Sequence, residues 1–591
     1  MYRNLLLSIC ILMIASASGM MFLSCNSENV ITTGEGPEII LDNPDGVYDV
    51  TVGGELTIAP RYLNVEGATY LWTVDGIKAG DSPTFTHRWM EQGEFYVDIT
   101  VTTAAGRVTE QLRVDVLKPG IPYISFPFAG DEITIALGTE YLLTPDVATS
   151  DTENLHMTWQ IDNQPPFESS TLRFHAEQLG AFRVKCTTAD NSGSDTRAFT
   201  INVVEHLPYE LSFPQLSYFL TSTTRYTFAG RPVGLRPVMN RLDGKDFSWT
   251  IDGKATDCTD RTLIFTPDKP GEYTITVTVD DKASASVTVI CVDDTEKSRR
   301  RPATASSSPF SDKVYEWTPA PGQFIGDTQT GGMTGNEITP EAANEWAQKR
   351  LNGQNFVSLG AFGGYIIVGF DHSVTAGSAG YDFAILSNAL HNDTGNSIAN
   401  EPGIVYVSQD VNGNGLPDDG WYELRGSETG SSATLTDYAI TYIRPAAPKM
   451  NVHWSDNRGN SGYVDYLQSF HRQDYYYPSW IEADSYTLYG TCLSSRTTQD
   501  PATGFWSTEA FGWGYVDNIG SDEIAGDTSF SGPGQRTGFM IRNAMLPDGS
   551  PVTLDYIDFI RVQTGVNSKA GWLGELSTEV LGFQDCRMTV K

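Results

Sequence analysis

Oxygen-bearing side chains at alternate positions are the clearest chemistry in this chain. Asp410, Asn412 and Asn414 are spaced by single residues, Gly415 follows, and Asp418, Asp419 and Glu423 complete the stretch Asp410-Val-Asn-Gly-Asn-Gly-Leu-Pro-Asp-Asp-Gly-Trp-Tyr-Glu423. A sharply turning backbone with this spacing aims hard donors at one centre, and calcium is the ion that takes roughly six to eight of them in a relaxed geometry. These six residues are the expected ligands of a structural calcium. The competing reading is a pair of Asn-Gly and Pro-Asp-Asp-Gly turns whose side chains bond only to their own backbone. In both readings the loop joins two strands, because Ile404 to Ser408 and Trp421 to Leu424 are rich in β-branched and aromatic residues.

A second chemistry lies in rings. Between His453 and Asp517 the chain places Trp454, Asp456, Asn457, His471, Tyr475, Tyr476, Tyr477, Trp480, Trp506, Trp513 and Asp517 among Gly, Pro, Ser and Asn. Rings with turn-forming neighbours belong to loops, so some are expected to line a ligand pocket or platform, where a stacked contact adds about 0.5 to 1.5 kcal/mol beyond burial. The others fill space beneath the loops. A hydrolase has little support: Glu482 and Asp484 are an acidic pair without a motif, and the sequence lacks GxSxG, HExxH and a P-loop.

The 591 residues exceed one core, and a net charge of -34 argues against nucleic acid or an anionic bilayer surface as partner. Arg3, the apolar run Leu5 to Ala17, and Met21-Phe-Leu-Ser-Cys25 read as a targeting segment over residues 1–24. That segment resembles a bacterial lipoprotein signal, which implies lipidation of Cys25, residues 25–36 as a tether and a membrane association through lipid alone. Five cysteines remain. Cys258 with Cys291 and Cys492 with Cys586 are the plausible bridges, with Cys186 left over, and five buried thiols are the alternative.

The elements that must position this chemistry are strands. Trp72-Thr-Val-Asp-Gly, Trp159-Gln-Ile-Asp-Asn and Trp249-Thr-Ile-Asp-Gly recur at a spacing of about 90 residues, each followed by a glycine-led alternating strand at Gly93, Gly180 and Gly271. The echoes resemble PKD domains, which implies three immunoglobulin-like modules over 37–117, 118–205 and 206–293, each with its tryptophan packed between sheets. Such modules usually act as spacers. Residues 294–311, with Arg299 to Arg301, change composition abruptly and read as a flexible linker.

Residues 312–591 carry a short helix capped by Thr339 and stopped by Gly353, then strand and turn almost throughout. The expected fold class is all-β: three tandem PKD-like sandwiches, then a larger jelly-roll-like sandwich with long loops. Val357 to Ser408 resembles a galactose-binding-like β-sandwich family, which implies a second calcium among Asp371, Asp382, Asn388 and Glu401. The order of lipobox, PKD-like stalk, linker and ring-rich domain resembles Bacteroidetes surface lipoproteins that accompany TonB-dependent outer-membrane transporters, the corrinoid-uptake accessory proteins most of all. That resemblance implies cell-surface capture of a bulky nutrient, vitamin B12 first, with a glycan, a purely structural adhesin and a hydrolase as alternatives. The Asp-x-His-x-x-Gly signature of base-off cobalamin enzymes is absent.

Overall fold

The computed structural model describes residues 36–43, 46–52, 54–90, 93–117, 121–149, 151–240, 244–391, 397–467, 471–500, 506–524 and 535–588. The expected leader, Cys25 and the tether up to residue 35 lie outside them. The chain forms two compact units. One holds residues up to 126 with 131–204 and 467–472, the other 127–130, 205–466 and 473–591.

All three repeats fold alike. In the first, a five-stranded sheet runs in the order Val47–Thr51, Gly106–Leu117, Gly93–Thr103, Thr69–Val74, Ile77–Gly80, faced by the pairs Glu38–Ile40 with Arg61–Leu63 and Glu55–Ile58 with Phe85–Arg88. The outer strand Val47–Thr51 pairs in parallel with Gly106–Leu117, and Glu132–Ala136 and Arg225–Thr227 do the same in the other repeats. Alternation drives this. In Gly271–Val279, Ile275, Val277 and Val279 are buried while the threonines between them are partly exposed.

The recurring Trp-x-x-Asp signature has a physical cause at each residue. Trp72, Trp159 and Trp249 are at most 1% exposed, and their indole N–H groups donate to the carbonyls of Ser82, Ser169 and Asp260 at 2.9, 3.0 and 2.8 Å. Asp75, Asp162 and Asp252 take the left-handed conformation at φ 47°, 48° and 49°. Their carboxylates accept the main-chain N–H of Tyr96, Arg183 and Thr274 at 2.9, 2.8 and 2.9 Å, which fixes the turn against the next strand.

In the second unit the third repeat is joined to a larger β domain. Three sheets enclose one core. Six strands run Lys313–Thr318, Tyr365–Thr375, Tyr556–Thr564, Gly403–Ser408, Tyr422–Leu424, Ala544–Met545; three run Gln535–Phe539, Phe383–Ser387, Gly582–Asp585; four run Ser461–Val464, Val452–Asp456, Leu435–Ile443, Ser485–Cys492. Strand Gln535–Phe539 is followed by a single 3-10 turn over Ile541–Asn543. Helix Pro340–Asn352 is capped as expected, with Thr339 Oγ1 accepting the Ala342 N–H at 3.2 Å, and it buries Ala343, Trp346, Ala347 and Leu351.

Residues 294–311 are not a flexible linker. Arg301 bonds Asp558 at 3.1 Å and the Phe370 carbonyl at 3.0 Å, Arg299 pairs with Asp294, and the Glu296 carboxylate accepts the Asp555 N–H at 2.8 Å. The third repeat is clamped to the same domain. Glu316 accepts Ser217 Oγ at 2.5 Å, Tyr365 accepts the Tyr218 N–H at 2.7 Å, and Arg231 meets Gln409 and Glu296. Cys186, Cys258, Cys291, Cys492 and Cys586 are all free thiols.

Candidate cation centres and surface rings

The loop from Asp410 to Trp421 leaves the six-stranded sheet after Ser408 and returns at Tyr422. Gly413 and Gly415 supply its turns at φ 75° and 77°, and the Arg299 guanidinium lies against Gly413 so closely that a Cβ there would fall 1.8 Å from it. Much of the loop satisfies itself. Asn412 and Asn414 donate their amide N–H to the two oxygens of Asp418 at 2.9 and 2.8 Å and accept the N–H of Asn414 and Leu416.

Two acids are left incomplete. Asp410 accepts the Gly415 N–H at 3.0 Å and Asp419 the Asn412 N–H at 3.0 Å, each through one oxygen. The other oxygen of each is buried without a hydrogen-bond partner. Asp419 is 1% exposed, and burial, with Asp418 and Asp410 adding repulsion, pushes its carboxyl up to about 8; burial also raises Asp410. Oxygen-only donors with two orphaned carboxylate atoms fit a hard cation. Glu423 does not join them. Strand alternation turns it toward Thr491, whose hydroxyl donates to it at 2.6 Å, and burial raises it to about 7.

The second set of expected ligands divides. Asp371 bonds His372 at 2.6 Å, and Asp382 is occupied by the N–H groups of Gly377 and Ile541 at 2.8 and 2.7 Å and by Arg587. Both are satisfied structural residues, not partners of Asn388 and Glu401. Those two instead meet Asp517, expected on the ligand surface, and Glu579, which sequence reasoning missed. Glu401, Asp517 and Glu579 place one oxygen each within 4.8 Å of one another, the one such trio of acids among the described residues. Burial raises all three carboxyls, and repulsion from neighbouring acids adds to it at Glu401 and Asp517. An acid heading the apolar run Glu579-Val-Leu-Gly-Phe583 was the available signal.

The rings are scattered, and several are core. Tyr476, Tyr477 and Trp480 are at most 2% exposed and unavailable to a ligand; Trp480 packs on Trp317 with centroids 4.8 Å apart. His471 is buried. Asp456 and Asn457 build a turn, Asp456 accepting Tyr438 Oη at 2.8 Å and the Asn460 N–H at 2.7 Å, Asn457 accepting the Ala439 N–H at 3.1 Å. Asp517 is interior. Trp454, Trp506 and Trp513 remain half-buried and Tyr475 is 38% exposed. Trp454 and Trp506 pack closely against glycines, since a Cβ at Gly462 or Gly571 would sit 2.7 or 2.6 Å from the ring. A cavity of 410 Å³ beside Phe310, Asp312, Leu351 and Phe583 touches none of the expected ligand residues. Glu482 and Asp484 are exposed surface acids.

Among solved structures the chain is similar to the titin I-band fragment I67-I69 (13% identity, 44% of this chain and 99% of that one, TM-score 0.16). It is also similar to the fibronectin(III)-like modules of Clostridium thermocellum CbhA (10%, 29% and 98%, TM-score 0.19) and to DIP-gamma IG1+IG2 (14%, 29% and 99%, TM-score 0.16). No curated protein matches. The PKD-like domain family matches residues 36–103 and 214–281, the first and third repeats. The chain is thus an all-β, multi-sandwich protein that carries PKD-like domains.

Proposed function

We propose that this is a non-catalytic, surface-displayed capture protein, anchored through lipid on Cys25, spaced by its PKD-like modules and carrying its ligand on the second unit. Its cargo is a bulky nutrient, a corrinoid first, handed to a TonB-dependent outer-membrane transporter. The observation that carries the reading is that two partly exposed indoles, Trp454 and Trp506, are each packed against a glycine. A large ring fixed in orientation before binding gives contact area at little entropic cost. Calcium in the loop of Asp410, Asn412, Asn414, Asp418 and Asp419 braces the domain, on the strength of the two buried, unpartnered carboxylate oxygens.

A glycan is the second reading, favoured by further exposed phenols, Tyr463 at 43% and Tyr489 at 39%, since planar rings also stack on sugars. The purified chain, mixed with cyanocobalamin and passed through a desalting column, is expected to elute coloured, and Trp454→Ala with Trp506→Ala to elute colourless. A colourless wild-type peak excludes tight corrinoid binding, and retardation in a polysaccharide affinity gel then supports the glycan.

A further inference from the structure

We propose that Glu401, Asp517 and Glu579, together with Ser387, form a second, largely buried calcium site that ties the ring-bearing stretch 506–518 to the main sheet.

Four separate stretches meet there. Ser387 and Asn388 end the strand Phe383–Ser387, Glu401 precedes Gly403–Ser408, Asp517 follows the bridge of Val516 to Gly403, and Glu579 opens the short strand paired with Val357–Ser358. Main-chain bonds already hold them in place: Glu401 N–H donates to the Asp517 carbonyl at 2.8 Å, and Glu579 N–H to the Asp517 carboxylate at 2.9 Å. Asp517 itself takes the left-handed conformation at φ 55°, which turns its carboxylate inward toward the other two.

The charge of this cluster has no protein counterpart. Asp517 and Glu579 are 1% and 3% exposed, Glu401 is half-buried, and no Lys, Arg or His among the described residues pairs with any of the three. Carboxylates this close and this dry either hold protons or share a cation. One neighbouring group favours the cation. The Ser387 hydroxyl is wholly buried beside the Asp517 carboxylate yet makes no hydrogen bond of normal geometry. The Asn388 amide donates to both Asp517 oxygens, at 3.2 and 3.3 Å, and so helps to hold that carboxylate in place. Protons alone leave the Ser387 hydroxyl unpartnered; a positive ion among the carboxylates takes its oxygen as a further ligand. Every donor is oxygen, with no imidazole or thiolate, so the ion is a hard one, and irregular loop donors suit calcium better than the strict octahedron of magnesium.

The test is calcium stoichiometry on the full purified chain, stripped with EGTA and dialysed against radiolabelled calcium. Glu579→Gln and Asp517→Asn are each expected to bind one ion fewer per chain than wild type, and Glu579→Gln with Asp419→Asn fewer than either alone. A Glu579→Gln chain that binds as many ions as wild type overturns the proposal. Melting guards against a variant that merely folds poorly. In EGTA, Glu579→Gln should melt no lower than wild type, because a repulsion has been removed, while its gain on adding calcium should shrink. A gain equal to that of wild type overturns the proposal. Asp419→Asn separates this site from the 410–421 loop: it should keep part of the calcium gain, and complete loss of the gain in that variant leaves the loop as the sole site and refutes the internal one.

Discussion

A carboxylate oxygen sealed from water with no donor beside it costs on the order of 1–3 kcal/mol, more when the group is charged. Asp410 and Asp419 each carry one, which is why their side chains, and not the self-bonded Asn412, Asn414 and Asp418, make the strongest argument for calcium in that loop. The alternating oxygens were legible in the sequence because spacing alone announces them. Glu423 was misread because a strand begins at Tyr422 and its alternation decides which way a side chain points. The neutral groups make predictions too. His453 is 3% exposed, its Nε2 has no partner, and burial lowers it to about 4. The unfolded chain binds that proton more tightly than the folded one, so His453 favours the fold above about pH 6.5 and this contribution is lost as pH falls toward 4. His453→Phe should therefore gain stability on wild type as pH drops through that window, by up to about 3 kcal/mol, read as melting midpoints that draw apart; midpoints that fall in parallel contradict the assignment.

At the scale of elements, the three repeats could be read in advance because each depends on local pattern: an indole on a strand, an aspartate able to turn left-handed, an alternating partner strand. Residues 294–311 could not, because their polar composition matches that of a linker and only tertiary partners, Asp558 and the Phe370 carbonyl among them, reveal the docking. The rings of Tyr476, Tyr477 and Trp480 deceived for the same reason in reverse. Their Pro and Ser neighbours mark a real turn, Ile481 N–H to the Pro478 carbonyl at 3.3 Å, but that turn passes beneath the surface against Trp317. A fragment of residues 312–591 is missing Ser217, Tyr218, Arg231 and Arg301, and so strips the buried Glu316 of its Ser217 bond and the buried Asp558 of its only cationic partner among the described residues. It should melt well below a fragment of residues 205–591, or fail to stay soluble. Equal midpoints for the two fragments by circular dichroism would show the third repeat to be an independent module.

For the whole molecule, a net charge of -34 and two sets of buried acids, both in the second unit, carry the proposal that a divalent cation braces that unit. The proposed capture of cargo would depend on that brace, because Trp506 and Trp513 stand on the stretch that holds Asp517. Ligand that binds only the folded state at a hundredfold above its Kd adds about 2.7 kcal/mol per site, equivalent to a few degrees for a unit of this size. The most direct measurement is scanning calorimetry of the full chain in EGTA and in excess calcium. The expected result is one transition that moves upward with calcium by several degrees and another, from the first two repeats, that stays where it was. Superimposable scans would contradict the account.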